Sequence, residues 1–156
     1  MNVRMLVRAA LMAAVALAVS AGSAAAQEDR FAGEWSGKYV CGQGVTALHV
    51  ILTPTGGGGV KALAHFFAAP ENPRVPEGCF TMTGLFEKST GQLSLRKDRW
   101  IMRPRNYAMT DFDGTIDADG RTFSGRLSGV QGCAAFSLTR DPVARPMPAA
   151  CEAASR

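Results

Sequence analysis

Apolar and polar residues alternate along most of the chain, and glycine-rich turns interrupt the alternation at intervals of roughly ten residues, a spacing typical of all-β sandwiches and barrels. The pattern predicts eight strands, at residues 34–42, 45–53, 59–68, 78–86, 92–97, 108–117, 121–130 and 132–140. We therefore expect an all-β fold, a small antiparallel up-and-down β-barrel or sandwich, stapled by disulfides. No segment of the mature chain shows a helical period.

Three segments of the chain do not fit the strand pattern. Residues 68–78 contain three prolines, and residues 98–107 form a long basic and aromatic connection. Both are predicted to be loops. Residues 141–156 are rich in proline and alanine and are predicted to form a loose tail, except where Cys151 fixes it.

The first 26 residues have the composition of a secretory signal peptide. Arg4 and Arg8 precede an apolar run of eleven residues, and small residues follow as far as Ala26. A membrane span needs about 20 apolar residues, so the run predicts cleavage between Ala26 and Gln27 and no stable membrane anchor afterwards. The expected organisation is a signal peptide (1–26), a barrel domain (27–140) and the tail, in a periplasmic or secreted protein.

The charge balance of the mature chain gives no sign of nucleic-acid binding. Two of the 17 basic residues lie in the signal segment, which leaves 15 against 13 acidic residues. Lysine and arginine do not cluster with interleaved aromatic residues, and export also argues against a nucleic-acid partner.

All four cysteines, Cys41, Cys79, Cys133 and Cys151, lie in the mature chain. An even count in an oxidising compartment predicts two disulfides, whereas the paired C-x-x-C spacing of a metal site does not occur. In an up-and-down barrel the first and last strands are antiparallel neighbours, which favours a Cys41–Cys133 bridge. Cys79 then pairs with Cys151 by elimination; alternatively, Cys151 stays free or pairs between molecules.

The second hairpin is apolar on both of its faces. One face belongs to a predicted core that comprises Leu48, Val50, Leu52, Phe66, Phe80, Met82, Phe112, Phe123, Leu127 and Phe136. On the other face, His49 lies opposite His65 and Ile51 lies opposite Leu63, with Phe67 beside them. Such a face is either covered by the tail or a loop, or it is used as an interface. We take it as a candidate binding surface, for a partner or for a second copy of the chain.

The loop that contains RWIMRPRNY is a second candidate binding surface. Trp100 and Tyr107 are aromatic residues of the kind that contribute most to recognition, and Arg103 adds positive charge. Binding residues often lie on loops of a rigid β scaffold. In the alternative interpretation, the two aromatic rings plug one end of the barrel and the arginines are solvated.

The sequence predicts no catalytic residues, metal site or cofactor. His49 and His65 are the only histidines, and two ligands are fewer than the three or four that zinc requires. The acidic segment 111–120 lacks the glycine and glutamate of an EF-hand loop. Ser94 and Lys97 have the S-x-x-K spacing of the penicillin-recognising enzymes. In those enzymes the start of a helix places the serine and the lysine on one face, and a strand does not.

Two resemblances to known families rest on specific motifs. The segment FAGEW (31–35) resembles the F-x-G-x-W start of calycin barrels, the lipocalin and avidin group, in which a late basic residue packs over the tryptophan. This implies that Arg140 packs over Trp35, and the register that aligns Cys41 with Cys133 puts Trp35 opposite Thr139, next to Arg140. A longer resemblance, to an uncharacterised bacterial exported small all-β domain, rests on W-x-G-x-Y-x-C-x-Q-G-x-T, N-P-x-V-P-x-G, W-I-x-x-P-x-x-Y and a late G-C-A-A-F. It implies no catalytic residues.

These observations predict an exported, non-enzymatic binding module that acts at the bacterial envelope or outside the cell. Its partner is expected to be a protein or a glycan, which suits a surface, because the predicted core side chains are sufficient to fill the barrel. A small secreted hydrolase is one alternative. A structural envelope protein that self-associates, and so forms a homo-oligomer, is the other.

Overall fold

The computed structural model describes residues 30–141 and 145–156, and the predicted signal peptide lies outside the described residues. Each strand pairs antiparallel with the next, and the last pairs with the first, so the sheet closes into a barrel. This confirms the predicted antiparallel up-and-down architecture. The strands are β1 Gly33–Cys41, β2 Gly44–Gly56, β3 Gly59–Phe67, β4 Gly78–Glu87, β5 Gln92–Met102, β6 Asp111–Ile116, β7 Thr122–Ser128 and β8 Ala135–Asp141.

The largest error in the predicted strand boundaries concerns β5, which continues to Met102. The first five residues of the segment predicted to be a loop, 98–107, therefore belong to a strand. The pairing of β5 with β4 shifts register between Cys79 and Phe80 and again between Thr81 and Met82. Irregularities of this kind disrupt the strict alternation of the ladder, which is the signal that the sequence pattern depends on.

The tail contains a short helix, α1 Ala149–Ala154, which the sequence pattern did not predict. Pro148 precedes it, and four of its six residues are alanine, which has the highest helix propensity. A helix this short is marginal in water by itself. It is held by the Cys79–Cys151 disulfide and by the packing of Cys151 against Leu63 on the outer wall of the barrel.

The pairing of β1 with β8 closes the barrel, and the Cys41–Cys133 disulfide lies at one end of this seam. Both predicted disulfides are therefore confirmed. The predicted register is wrong by one residue, because Trp35 lies opposite Arg140 and not opposite Thr139. Cys133 lies before β8, in the connection that follows β7. The predicted register assumed that Cys133 pairs with Cys41 within the ladder, which displaced every pair by one residue.

One end of the barrel is closed by aromatic and arginine side chains. Phe31 and Trp35 are buried there, and Trp35 Nε1 donates a hydrogen bond to the Phe31 carbonyl oxygen at 2.9 Å. The Arg140 guanidinium lies 4.7 Å from the Trp35 ring centroid and donates hydrogen bonds to the carbonyl oxygens of Gly120, Ala32 and Arg30. The contact that the calycin resemblance implies is therefore present.

The residues that the alternation assigned to the core point into the barrel, and all ten of them are buried. Near the middle, Phe136 packs edge-on against Phe112 and Phe123, with ring centroids 5.0 and 4.7 Å apart. The end opposite to Trp35 carries the connections 42–43, 68–77, 103–110 and 129–134. We call it the open end.

We expect the Cys41–Cys133 disulfide to contribute about 2–5 kcal/mol to the free energy of unfolding, because it closes a long loop in the unfolded chain. The double variant Cys41→Ala/Cys133→Ala should unfold at a lower urea concentration than the wild type. Equilibrium urea titration followed by tryptophan fluorescence measures this difference. An unchanged midpoint would show that the strand pairing closes the seam without the bridge.

Candidate ligand-binding site

The outer face of the second hairpin is mostly buried, so its predicted exposure is wrong. His49, Leu63 and His65 are at most 2% exposed, and Ile51 and Phe67 are partly buried. The register is as predicted, with His49 opposite His65. The structure agrees with the alternative interpretation, in which the tail covers this face. Leu63 and Ile51 pack in a cluster with Cys151, Met147 and Ala154 of the tail.

Each histidine of this covered face is held by a glutamate. His49 Nε2 lies 2.9 Å from Glu34 Oε2, and His65 Nε2 lies 2.8 Å from Glu77 Oε1. The two rings are 6.4 Å apart and nearly perpendicular. Both Nδ1 atoms are buried, and neither has a hydrogen-bond partner among the described residues. Burial lowers the pKa of His49, although Glu34 acts in the opposite direction.

The acidic segment 111–120 stabilises strands and a turn. Asp113 accepts a hydrogen bond from Arg96 at 2.7 Å, and Asp111 accepts one from the backbone nitrogen of Lys97. Backbone hydrogen bonds from the turn, chiefly that of Thr122, lower the pKa of Asp117 to about 2. In residues 30–141 and 145–156, no group of three His, Cys, Asp or Glu side chains is arranged to hold a metal ion.

The second predicted surface, the loop that follows β5, forms part of the open end. Tyr107 stacks on Phe66 with centroids 5.5 Å apart, and Trp100 packs edge-on against Phe80 at 5.3 Å. The Arg103 guanidinium lies 6.0 Å from the Trp100 ring centroid. The structure therefore brings the three predicted residues together, with the aromatic rings half-buried against the core and Arg103 exposed.

Below this loop, the open end contains a cavity of about 250 Å³. The expectation that side chains fill the barrel completely is therefore wrong at this end. The small residues around the cavity include Gly42, Ala108 and Thr110. Its apolar wall is mainly aromatic and consists of Tyr39, Leu48, Phe66, Phe80, Tyr107 and Phe112, together with the Cys41–Cys133 disulfide.

A small hydrogen-bond network lies at the side of the cavity. The Gln43 amide nitrogen donates to the hydroxyl oxygens of Tyr39 and Thr46, both at 3.2 Å. Tyr39 and Thr46 are buried, whereas Gln43 is partly exposed. Burial raises the pKa of Tyr39 far above its usual value of 10.0, so its hydroxyl stays protonated and neutral.

The backbone that carries this network is fixed by the neighbouring proline-rich loop. Asn72 Nδ2 donates to the carbonyl oxygens of Gln43 and Val45, at 2.7 and 3.1 Å. Gly44, between them, has a φ of +93°, which a residue with a side chain rarely adopts. A Cβ on Gly44 would also lie 3.1 Å from Asn72 Nδ2. The turn and the loop therefore hold each other in place.

Asn106, at the tip of the loop after β5, is the one non-glycine residue with positive φ, at +65°, in the described part of the chain. Asparagine tolerates this left-handed conformation better than most residues. Such backbone outliers often occur at functional sites. Asn106 is exposed and lines the cavity.

The motifs that carry the resemblance to an exported all-β domain are far apart in sequence, but each contributes to the open end. The first contains Tyr39, Cys41 and Gln43, and the proline-rich motif contains Asn72. The other two supply Tyr107 and Cys133. Tyr39, Gln43 and Asn106 were not predicted as site residues. Tyr39 and Gln43 are specified positions of the first motif, which is the signal that could have identified them, whereas Asn106 lies at an unspecified position of its motif.

Comparison with known proteins places the chain by fold only. No protein-family model and no curated protein sequence matches it. Among solved structures, it is similar to a de novo designed fluorescence-activating β-barrel, with a TM-score of 0.50 and 9% sequence identity. The similarity covers 73% of this chain and 96% of the designed one. At this identity, the likeness shows the β-barrel fold. No helix within residues 30–141 or 145–156 has the length and apolar character to cross a membrane.

We expect the free energy of unfolding to decrease as the pH is lowered from about 7.5 to 5.5. A histidine in the unfolded chain titrates near pH 6.5, and the pKa of buried His49 is lower. His49 therefore contributes fully to stability above pH 6.5, and the contribution is lost as the pH falls through its folded pKa. The ionisable side chains that act on His49 are those of Glu34, His65 and Asp141.

Urea titrations of the wild type and of His49→Gln across this pH range test the prediction. Glutamine does not titrate, so the variant should lose less stability on acidification than the wild type does. Equal pH dependence in the two proteins would show that His49 has the same pKa in the folded and unfolded states.

Proposed function

We propose that the protein is an exported, non-enzymatic binding module that acts at the bacterial envelope or outside the cell, and that its binding site is the open end of the barrel. The observation that carries the proposal is the cavity of about 250 Å³ beneath the loop that follows β5. Concave sites with mainly apolar walls and a few placed polar groups are typical of small-molecule binding. The other end of the barrel is closed by Trp35 and Arg140.

The rigidity of the open end supports a binding role. The Cys41–Cys133 bridge lines the cavity, and Asn72 fixes the adjacent turn through two hydrogen bonds. A site that is already ordered loses less conformational entropy when a ligand binds. The designed barrel of similar fold is described as fluorescence-activating, which is compatible with a binding role for such a fold.

The chemistry of the cavity lining supports a role without catalysis. Its two cysteines, Cys41 and Cys133, are joined in a disulfide, and a disulfide sulfur is not available as a thiolate nucleophile. Burial raises the pKa values of Tyr39 and Tyr107, which makes both phenols poor general bases at neutral pH. Among the described residues that line it, none is a histidine, aspartate or glutamate.

Export is supported by the signal-like first 26 residues and by the disulfides. Two disulfides fit an oxidising compartment such as the periplasm or the extracellular space. A protein or glycan partner at the exposed rim, around Trp100 and Arg103, belongs to the same proposal, because the rim surrounds the cavity.

A pair of matched substitutions tests whether the open end binds a ligand. Ala108 is exposed at the cavity, whereas Ala118 is exposed in the turn after β6, at the closed end. We expect Ala108→Trp to fill the cavity entrance without disturbing the core, and Ala118→Trp to leave the site unchanged. Thermal unfolding verifies that both variants are folded.

The wild type and both variants are incubated with small molecules extracted from bacterial envelopes, and bound molecules are detected by native mass spectrometry. Adducts should form with the wild type and with Ala118→Trp but should be lost in Ala108→Trp. Identical adduct profiles for all three proteins, or no adduct with any of them, would contradict the proposed site.

A protein partner at the rim is tested with the double variant Trp100→Ala/Tyr107→Ala. If the rim binds a protein, pull-down from envelope extract should recover less of that protein with the double variant than with the wild type. Equal recovery of every protein would exclude the rim as a protein-binding surface.

A further inference from the structure

We propose that the cavity takes an uncharged, flat, bicyclic ligand whose single hydrogen-bonding substituent remains near the mouth. This inference rests on the proposed function, because it specifies the ligand class of the same site. The ligand class follows from four properties of the cavity: the charge of its lining, its volume, its aromatic walls, and which lining residues are buried or exposed.

The absence of charge on the ligand follows from the lining. Among the described residues that form the cavity, none carries a charged side chain, and the polar ones are hydroxyl and amide groups. The buried hydroxyl of Tyr39 stays neutral, because burial raises its pKa. A charged group inside the cavity would lose hydration without meeting a countercharge among the lining residues, which is unfavourable. A neutral ligand avoids this cost.

The size of the ligand follows from the volume. An apolar cavity of roughly 150 Å³ holds one benzene molecule. The cavity of about 250 Å³ is larger than this by less than a factor of two. It therefore accommodates one bicyclic ring system and is too small for a long lipid chain or an oligosaccharide.

The flat shape follows from the arrangement of the aromatic walls. Phe66 and Tyr107 lie parallel, at an interplanar angle of 10°, and Tyr107 is only partly buried. A planar ring can stack next to Tyr107 or take its place against Phe66. Aromatic rings in stacked or edge-to-face contact attract each other beyond the burial of apolar area, an advantage that an aliphatic ligand lacks.

The position of the polar substituent follows from the exposure of the lining. Phe66, Phe80 and Phe112 are buried, whereas Asn106 and Gln131 are exposed. The amides therefore stand at the mouth and the rings lie below them. A ligand that enters ring first keeps its hydroxyl or amide next to Asn106 and Gln131, where water can also reach it.

Three probes of similar size separate the possible ligand classes. 2-Naphthol is neutral, flat and bicyclic and carries one hydroxyl. Naphthalene-2-carboxylate has the same rings but is anionic at neutral pH, and 1-octanol is neutral but aliphatic. Each is titrated into the mature protein by isothermal calorimetry, and naphthol binding is also followed by its fluorescence.

We expect 2-naphthol to bind at least about tenfold more tightly than either other probe. Its affinity should decrease by a similar factor in Ala108→Trp and remain unchanged in Ala118→Trp. A preference for the carboxylate or for octanol that is lost in Ala108→Trp would overturn the ligand class but leave the proposed site intact.

Three further outcomes would also overturn the inference. Equal naphthol binding by the wild type and Ala108→Trp would place the aromatic ligand outside the cavity. If no probe binds although envelope adducts depend on Ala108, the ligand belongs to another class. If neither probes nor envelope molecules bind in an Ala108-dependent way, the proposed function fails together with the inference.

Discussion

The antiparallel pairing of β1 with β8 is the constraint on which the rest of the structure depends. It turns a sheet of eight strands into a barrel without edges, so every strand has two neighbours. The same pairing places Arg140 over Trp35 at one end of the seam and lets Cys41 reach Cys133 at the other. One seam therefore gives the barrel one end that is closed by Arg140 and Trp35 and another that is held by a disulfide.

This difference between the ends explains why the candidate site lies where it does. At the closed end, short turns bring backbone carbonyl oxygens together, and Arg140 satisfies three of them while it stacks on Trp35. At the open end, longer connections surround the barrel, and small residues such as Gly42 and Ala108 leave space beneath them. The tail covers the hairpin face that includes Leu63, so the open end is where a cavity and an exposed aromatic loop coincide.

The sequence was sufficient to predict an antiparallel up-and-down barrel or sandwich and the hairpin register, because alternation and turn glycines are local signals. It also favoured the two disulfides that the structure contains. It failed where a distant contact decides the outcome. The strand character of 98–102 depends on an irregular pairing with β4, and α1 depends on a disulfide to Cys79. The cavity depends on how three connections, 42–43, 103–110 and 129–134, meet. Alternation alone therefore placed binding on the hairpin face and gave no binding role to Gln43 or Asn106.

The most direct test of this account is an amide chemical-shift map of the mature protein, recorded by NMR during titration with a neutral bicyclic compound. Ligand binding at the open end predicts that the shifts are concentrated in residues 42–43, 103–110 and 129–134, with residues 30–32 and 117–121 unaffected. Shifts confined to the closed end, or to α1 and the hairpin face it covers, would contradict it.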